Sequence, residues 1–335
     1  MLHALCSLPL ILKMAIQHLV SRIPHTADGG KPRIIVICGP TAVGKTTAGI
    51  ELARAIGGEI ISADSMQVYR RLDIGTAKPT AAEQAAVRHH LIDVVDPDEP
   101  FDAATYKALG RQAIAELTRR GQTPIVVGGT GLYIKALLSG LFRSDARDPR
   151  VRNRLRAEAQ ALGPEAFHAR LKQCDPQTAA RLHPNDAIRI LRALEVFEVT
   201  GRPISELQRE HRFRDTPFRT LKLGLSIERE ALYRRIDQRV QAMVDAGLQP
   251  EVRSLLEKGY GPELKPMRSI GYSHMIAFIS GALSWEECIR TLKRDTRRFA
   301  KRQLTWFRAD PEIVWLDSGR TEELVRLSTE FLDLA

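Results

Sequence analysis

The segment GPTAVGKTT, residues 39–47, restricts the possible folds of this chain more than any other stretch. It follows the apolar run RIIVIC and precedes AGIELARAIG, which has helical periodicity. The spacing fits G-x-x-x-x-G-K-[ST], in which glycines let backbone N–H groups wrap around an anion and Lys45 adds a cation at a helix N-terminus. We therefore predict a phosphate-binding loop with Thr46 as a Mg²⁺ ligand. The predicted phosphate contacts are Gly39, Pro40, Thr41, Ala42, Val43, Gly44, Lys45 and Thr46.

Short apolar runs alternate with helical segments in the N-terminal half of the chain. After the first strand, GEIISADS, HHLIDVVDP and PIVVGGTGLY follow in order, and ATYKALGRQAIAELTRRG precedes the last of them. This alternation is typical of an α/β fold, a parallel sheet with helices on both faces. TLKLGLSI and EIVWLD, closer to the other end of the chain, are two further strand candidates.

Between residues 145 and 217, apolar residues recur at helical spacing and strand-like runs are missing. The sequence therefore predicts an α/β core interrupted by a small all-helical insertion subdomain. The apolar pairs that indicate its helices are Val151 with Leu155, Phe167 with Leu171, and Ile188 with Leu191. The predicted regions are an N-terminal tail (1–30), a P-loop core segment before the insertion (31–142), the helical insertion (143–217), a core segment after it (218–318) and a C-terminal helical tail (319–335).

Composition narrows the class of protein. Of 335 residues, 44% are hydrophobic, which allows a full core and excludes disorder as the main state. The net charge of +10 suits a polyanionic partner without identifying one. Lys13 and His18 interrupt the apolar start, so we expect a loose tail, or a true start at Met14, rather than a signal peptide. Cysteines without metal-ligand spacing predict reduced packing residues in a cytoplasmic protein: Cys6, Cys38, Cys174 and Cys288.

Two acidic residues follow strand candidates and could complete the phosphate site. Asp64 comes after EIISA, and Asp93 lies in LIDVV. Each is either a Mg²⁺ ligand or a cap at a strand end, and spacing does not separate these roles. The fourth strand candidate ends in GGTG, residues 128–131, without the acid of many motor-type NTPases. The residues alone therefore leave the reaction open.

Seven segments carry a more specific signal. They are GPTAVGKT, ADSMQVYRRLDIGTAKP, HHLIDVVDP, VVGGTGLYIKALLSGL, HPNDAIRILRALEVF, MRSIGY and KRQLTWFR. Together they make the region from about Arg33 to Asp317 resemble the tRNA dimethylallyltransferase (tRNA isopentenyltransferase) family. The resemblance implies a P-loop NTPase-like core that transfers the dimethylallyl group of dimethylallyl diphosphate to N6 of the adenosine 3′ of the anticodon in tRNA. Diphosphate is released, and Mg²⁺ is the implied cofactor.

The resemblance also implies catalytic roles. Asp64 is implied as the base that accepts the N6 proton, in preference to a metal ligand or a cap. Lys45 and Arg239 are implied to stabilise the leaving diphosphate. Arg235, one turn from Arg239 on a predicted helix, fits a solvated basic edge better. Thr130 is implied as a catalytic-site residue that contacts tRNA, and it could cap a helix at the same time.

An adenosine stacked in the anticodon loop must be turned out into a pocket before it can react. Between Arg290 and Arg308, eight Lys or Arg residues accompany one acid, and the exposed faces of this predicted helix suit phosphate contacts. Trp306 could stack on a base or pack in the core. The implied tRNA contacts are Asp64, Ser65, Met66, Gln67, Thr130, Arg152, Ile188, Arg189, Ile190, Leu191, Arg192, Arg268, Ser269, Ile270, Gly271, Tyr272, Ser273, Lys301, Arg302, Gln303, Leu304, Thr305, Trp306, Phe307 and Arg308.

Two other hypotheses fit the phosphate loop. A small-molecule or nucleotide kinase would share the fold and would transfer phosphate from ATP. An RNA-binding protein switched by GTP or ATP would use Asp64 as a metal ligand rather than a base. For the favoured hypothesis we expect a monomer with tRNA and dimethylallyl diphosphate as partners, and no membrane.

Overall fold

The computed structural model describes residues 30–140, 148–211 and 216–333. The predicted N-terminal tail lies outside these ranges except for Gly30. The strands are β1 (Arg33–Cys38), β2 (Gly58–Ser62), β3 (His89–His90), β4 (Thr123–Gly128), β5 (Arg219–Ser226) and β6 (Ile313–Asp317). The helices that precede the insertion are α1 (Lys45–Ile56), α2 (Ala81–Ala86), α3 (Ala103–Arg119) and α4 (Gly131–Ser139).

The remaining helices follow the same chain order. Those of the insertion are α5 (Pro149–Cys174), α6 (Pro176–Ala179), α7 (Ala187–Thr200) and α8 (Ile204–His211). Those after the insertion are α9 (Arg229–Asp245), α10 (Leu248–Glu257), α11 (Tyr272–Ile279), α12 (Trp285–Arg308) and α13 (Thr321–Asp333), with a short 3₁₀ turn at Pro266–Arg268.

The strands form one parallel sheet in the order β3-β2-β4-β1-β5-β6. This confirms the predicted α/β fold. β1 lies between β4 and β5, so the phosphate loop that follows it projects from the middle of the sheet. Because the strands are parallel, their carboxyl ends meet at one edge, where ligands of open α/β sheets bind.

Two apolar clusters cover the two faces of the sheet. Along β1, Ile34 and Val36 belong to one cluster, and Ile35 and Ile37 belong to the other. Successive strand residues point to opposite faces, so this alternation places helices on both sides. The first cluster includes side chains of α3, α4, α10 and α11, and the second includes side chains of α1 and α13.

The third predicted strand is much shorter than its apolar run. HHLIDVVDP pairs with β2 only through His89 and His90. Leu91 and Asp93 follow with φ of 62° and 55°, a left-handed conformation that no strand continues. The expectation of a full strand here was wrong, because apolar content does not reveal a backbone that turns.

The helical insertion forms a compact unit of its own. Contacts divide the described residues into 139–211 on one side and 30–138 with 216–333 on the other. The insertion has its own buried cluster, which includes Leu155, Phe167 and Leu171. Gly163, with φ 76° and ψ 170°, interrupts α5. Ile188, which marks the helical spacing and is also a predicted tRNA contact, is 82% exposed.

No helix within the described ranges is long and apolar enough to span a membrane.

Candidate active site

The phosphate loop has the backbone conformation that its glycines suggested. Gly39 has φ 143°, and a Cβ there would lie 2.6 Å from the carbonyl oxygen of Leu225 on the neighbouring β5. Gly44 has φ 102° and immediately precedes α1. Larger residues at these positions would strain the loop. Lys45, the first residue of α1, donates from Nζ to the carbonyl oxygen of Pro40 at 2.7 Å.

Lys45, Arg239 and Asp64 interact electrostatically. Burial, followed by the positive charge of Arg239, lowers the pKa of Lys45 to about 8, and Asp64 opposes this shift. Burial also lowers the pKa of Arg239, again opposed by Asp64. Among the described residues of the chain, Arg239 makes no hydrogen bond or ion pair with a protein group. Two cations and one carboxylate leave a positive site that an anion would stabilise.

The Asp64 carboxylate is fixed by the turn that follows β2. Its Oδ1 accepts hydrogen bonds from the backbone N–H groups of Met66 at 2.8 Å and Gln67 at 3.3 Å. The second oxygen, Oδ2, has no hydrogen-bond partner within the described ranges. A carboxylate held through one oxygen keeps the other available for proton transfer.

Thr130 joins the ends of β2 and β4. Its backbone N–H donates to the carbonyl oxygen of Ala63 at 3.0 Å, and its Oγ1 accepts from the N–H of Ser65 at 3.0 Å. Its carbonyl oxygen accepts from Tyr133 and Ile134 in the first turn of α4. Thr130 therefore holds the residues on either side of Asp64 and also supports the start of a helix.

The other acidic candidate, Asp93, is occupied by an ion pair. Its Oδ1 accepts from the Nζ of Lys78 at 2.7 Å, and Lys78 also pairs with Asp73. The Lys78 side chain is only 4% exposed, so both carboxylates compensate a buried cation. A structural role for Asp93 follows, and Asp64 is the acid that faces the two site cations.

Gln67 is held inside its own loop. Its Oε1 accepts from the hydroxyl of Ser62 at 3.1 Å, and its Nε2 donates to the carbonyl oxygens of Thr76 and Ala77 at 3.3 and 3.1 Å. The bonds to Thr76 and Ala77 hold the segment DSMQ, residues 64–67, against the segment DIGTAK, residues 73–78. A tRNA contact through Gln67 stays a prediction, and it would compete with these internal bonds.

Helix α12 reaches into the site through its buried face. Gln303 is 7% exposed; its Oε1 accepts from the N–H of Thr41 at 2.8 Å, and its Nε2 donates to the carbonyl oxygen of Gly129 at 2.9 Å. One turn further, Trp306 lies against Gly131, where a Cβ would be 2.1 Å from the indole nitrogen. Trp306 is nevertheless 43% exposed, so it is not a core residue.

The predicted tRNA contacts differ in exposure. The exposed ones are Ile188, Arg189, Arg268, Lys301, Arg302, Thr305, Trp306 and Arg308. Partly buried ones are Asp64, Ser65, Met66, Gln67, Thr130, Arg152, Arg192, Ser269, Ile270, Ser273 and Leu304. The buried ones are Ile190, Leu191, Gly271, Tyr272, Gln303 and Phe307. Apart from Gly271, which has no side chain, these buried residues direct their side chains into the protein, which does not favour direct contact with tRNA.

Tyr272 shows what such a buried residue does instead. Its hydroxyl donates to Oε1 of Glu251 on α10 at 2.5 Å. The same carboxylate accepts from the N–H groups of Asp73, Ile74 and Gly75, at 3.1, 2.8 and 3.2 Å. Tyr272 and Glu251 therefore anchor the DIGTAK segment rather than present a surface.

Two arginines have roles that their sequence context did not reveal. Arg235 is exposed, which agrees with the solvated edge predicted for it, and its Nη1 also approaches the carbonyl oxygen of Val43 in the phosphate loop at 3.4 Å. Arg297 belongs to the basic helix α12, whose exposed faces were expected to suit phosphate contacts, but it is partly buried, forms an ion pair with Asp237 on α9 and lies over the ring of Tyr233. The apolar positions of α9 indicated how that helix packs, but they gave no information about these partners.

Comparisons with known proteins identify the family. The model of the family "IPP transferase" matches residues 67–310. A tRNA dimethylallyltransferase of Syntrophobacter fumaroxidans is 56% identical over 317 residues, covering 93% of each chain. One from Geobacter metallireducens is 53% identical over 287 residues, covering 86% of this chain and 93% of the relative. This chain belongs to the tRNA dimethylallyltransferase family.

Solved structures agree with this membership. A tRNA isopentenylpyrophosphate transferase from Bacillus halodurans superposes with a TM-score of 0.69 at 41% identity, covering 90% of this chain and 97% of the other. A eukaryotic dimethylallyltransferase, whose structures were determined acting on tRNA, gives a TM-score of 0.77 at 31% identity, with 90% and 79% covered. The resemblance inferred from seven sequence segments is thereby confirmed, as is the fold of the family.

Proposed function

We propose that this chain transfers a dimethylallyl group from dimethylallyl diphosphate to N6 of the adenosine 3′ of the anticodon, with Asp64, Lys45 and Arg239 at the reacting atoms. Family membership establishes prenyl transfer to tRNA over the kinase alternative. The observation that carries the residue assignment is the convergence of two cations and one available carboxylate oxygen at the carboxyl edge of the sheet.

The acceptor side of the reaction needs a base. N6 of adenine is a weak nucleophile, so its proton must leave as the bond to the prenyl carbon forms. In this proposal N6 attacks the first carbon of the dimethylallyl group, the bond from that carbon to the diphosphate oxygen breaks, and Oδ2 of Asp64 takes the N6 proton. The two N–H bonds to Oδ1 hold the carboxylate in place during this step.

The donor side must stabilise a leaving diphosphate. The phosphate-loop N–H groups, the ammonium of Lys45 and the guanidinium of Arg239 supply positive charge where negative charge develops. Because burial lowers the pKa of both cations, each gains electrostatically when the diphosphate binds. Arg235, bonded to the Val43 carbonyl, supports the loop from behind.

The residues present also fit a Mg²⁺ ion. In the described ranges the hydroxyl of Thr46 makes no hydrogen bond, so it can act as a ligand at the start of α1. No cluster of three or more His, Cys, Asp or Glu side chains suited to a metal is found there, which agrees with an ion held mainly by water and substrate phosphates. Thr46 would hold the ion, and the ion would neutralise charge on the diphosphate.

An assay without nucleoside triphosphate tests the proposal against the kinase and the nucleotide-switch hypotheses. The purified chain is incubated with unmodified tRNA, labelled dimethylallyl diphosphate and Mg²⁺. We expect label in tRNA at the adenosine 3′ of the anticodon. Absence of label there, with label appearing only when ATP or GTP is added, would contradict the proposed reaction.

Asp64→Asn tests the base directly. The amide oxygen of asparagine can accept the same N–H bonds from Met66 and Gln67, so the turn is kept while the proton acceptor is lost. We expect kcat to fall by about 10²-fold to 10⁴-fold, with little change in the Kd for tRNA. If tRNA binding falls as strongly as turnover, Asp64 is chiefly a contact residue and its assignment as a base is wrong.

We also propose that the chain is a monomer and that it is located in the cytoplasm. The free thiols of Cys38, Cys174 and Cys288 support a reducing compartment. Light scattering of the purified chain checks the monomer, and a dimer at micromolar concentration would contradict it.

A further inference from the structure

The buried side chain of Gln303 joins the two loops that form opposite sides of the site. Its Oε1 accepts from the N–H of Thr41 in the phosphate loop at 2.8 Å. Its Nε2 donates to the carbonyl oxygen of Gly129, beyond the end of β4, at 2.9 Å. One amide group thereby bonds the donor side and the acceptor side of the site at once.

The packing around this amide leaves it little freedom. Gln303 is 7% exposed, and a Cβ on Gly129 would lie 2.2 Å from its Nε2. Gly129 precedes Thr130, whose Oγ1 accepts from the N–H of Ser65, next to Asp64. Three hydrogen bonds and the peptide bond between Gly129 and Thr130 therefore connect Thr41, through Gln303, to Ser65, the residue beside the base.

We propose that Gln303 is a positioning residue that sets the distance between the bound diphosphate and the adenosine, instead of contacting tRNA. The proposal rests on the assignment of the phosphate loop and Asp64 given above. Substitution at the prenyl carbon needs the nucleophile and the leaving group in line, and small errors in such an alignment are costly. An apolar side chain in place of Gln303 would lose both hydrogen bonds, to Thr41 and to Gly129. An ionised carboxylate would keep the bond from Thr41 but would have no donor for the carbonyl oxygen of Gly129.

The Gln303→Met variant tests this role because methionine has nearly the same side-chain volume as glutamine but cannot make the two amide hydrogen bonds. We expect kcat to fall by about 10-fold to 100-fold, while the KM for dimethylallyl diphosphate and the KM for tRNA each change by less than about threefold. Gln241→Met is the matched control, because Gln241 is exposed on α9 and, within the part of the chain that the structure describes, bonds only Asp245. It should retain the wild-type kcat. A Gln303→Met variant with wild-type kcat, or with only the KM for tRNA raised, would overturn the proposal.

The Gln303→Glu variant gives a signature that packing alone would not produce. An ionised carboxyl has no donor for the Gly129 carbonyl, whereas a protonated one can accept from Thr41 and donate to Gly129 as the amide does. Burial against a carbonyl raises the pKa of the introduced carboxyl. The ratio of variant kcat to wild-type kcat should therefore rise severalfold as the pH falls from about 8 to about 6. A flat ratio would contradict positioning by the amide.

A third variant covers the case in which changes at Gln303 prevent folding. Gly129→Ala places a methyl group against the Gln303 amide without altering α12. On its own this variant should lower kcat with little change in either KM, and a wild-type kcat would contradict the proposal. Where Gln303→Met folds, the combined Gly129→Ala and Gln303→Met variant should be no slower than the slower single variant, because both act through the same bond. Additive losses would count against the proposal. Wild-type enzyme is assayed in parallel to separate the proposed function from the proposed role of Gln303. Absence of prenyl transfer by the wild type contradicts the proposed function. Normal transfer by the wild type and by the Gln303→Met variant contradicts only the role of Gln303.

Discussion

Lys45 is a site residue whose charge depends on its surroundings. Its pKa, lowered to about 8 by burial and by Arg239, means that its ammonium loses its proton just above neutral pH when no anion is bound. Bound diphosphate favours the charged form and raises that pKa again. The affinity for diphosphate should therefore fall as the pH rises above about 8, by up to about tenfold per pH unit.

Inorganic diphosphate with Mg²⁺ is the probe for this prediction, and calorimetric titration between about pH 7 and about pH 9 measures its Kd. Lys45→Arg is the control, since a guanidinium stays charged throughout this range. Ionisation of diphosphate itself affects both proteins equally, so the ratio of the wild-type Kd to the Lys45→Arg Kd isolates the contribution of Lys45. This ratio should rise as the pH rises above about 8, and a constant ratio would show that Lys45 does not supply the titrating charge.

Single residues of the site were predictable where the backbone dictates them. Gly39, Gly44 and Lys45 follow from the chemistry of a phosphate loop, and the structure gives both glycines positive φ. The roles of Gln303 and Arg235 were not predictable, because their partners Thr41 and Val43 are distant in sequence. No periodicity or spacing encodes which polar side chain closes onto a loop far along the chain.

Among the elements, α12 shows how a basic helix distributes its charges. Asp295 engages Arg294 and Arg298, and Asp237 engages Arg297. Its buried positions are Cys288, Leu292, Ala300, Gln303 and Phe307. The sequence predicts an apolar stripe on this helix made of Trp285, Ile289, Leu292 and Phe299. This prediction is only partly right, because Leu292 is buried but Trp285 and Phe299 are 41% and 37% exposed. Within the described ranges, the basic residues of α12 that form no ion pair lie towards both ends of the helix: Arg290 and Lys293 near its start, and Lys301, Arg302 and Arg308 near its end.

Lys301 and Arg302 are exposed on that stretch of α12 and form no ion pair among the described residues. If they contact tRNA phosphates, the combined Lys301→Ala and Arg302→Ala variant should reduce the slope of log Kd against log salt concentration by about 2. Filter binding at several salt concentrations measures this slope. Arg320→Ala with Arg326→Ala removes the same charge from exposed residues paired with Glu323 and Glu330, and should leave the slope unchanged.

The elements most easily predicted were the long ones. α3 and the strands β1, β4 and β5 follow from periodicity and apolar runs, whereas β3 shrank to two residues because Leu91 and Asp93 turn the chain. A left-handed backbone at non-glycine residues leaves little trace in composition.

At the scale of the whole molecule, the two compact units have separate apolar cores. Leu171 belongs to the core of the insertion and Leu52 to that of the α/β core, and both side chains are 0% exposed. Leu171→Ala should lower the free energy of unfolding of the insertion by about 2 to 5 kcal/mol and leave the α/β core nearly unchanged. Leu52→Ala, the matched control, should do the reverse.

Hydrogen exchange followed by mass spectrometry distinguishes these outcomes. In Leu171→Ala we expect faster exchange only in residues 148–211. In Leu52→Ala we expect faster exchange only in the α/β core. Equal acceleration of both units by either variant would show one cooperative core instead of two.

The position of β1 in the sheet has a consequence for synthesis of the protein. Of its two neighbours, β4 ends at Gly128, but β5 begins only at Arg219, after the entire insertion. While the ribosome makes the insertion, β1 can pair on one side only, and an apolar strand edge stays open. Gln303 is synthesised later than β5. The phosphate loop is therefore synthesised long before the residues that complete the site, and during that interval the unpaired edge of β1 is a place where the nascent chain is prone to aggregate.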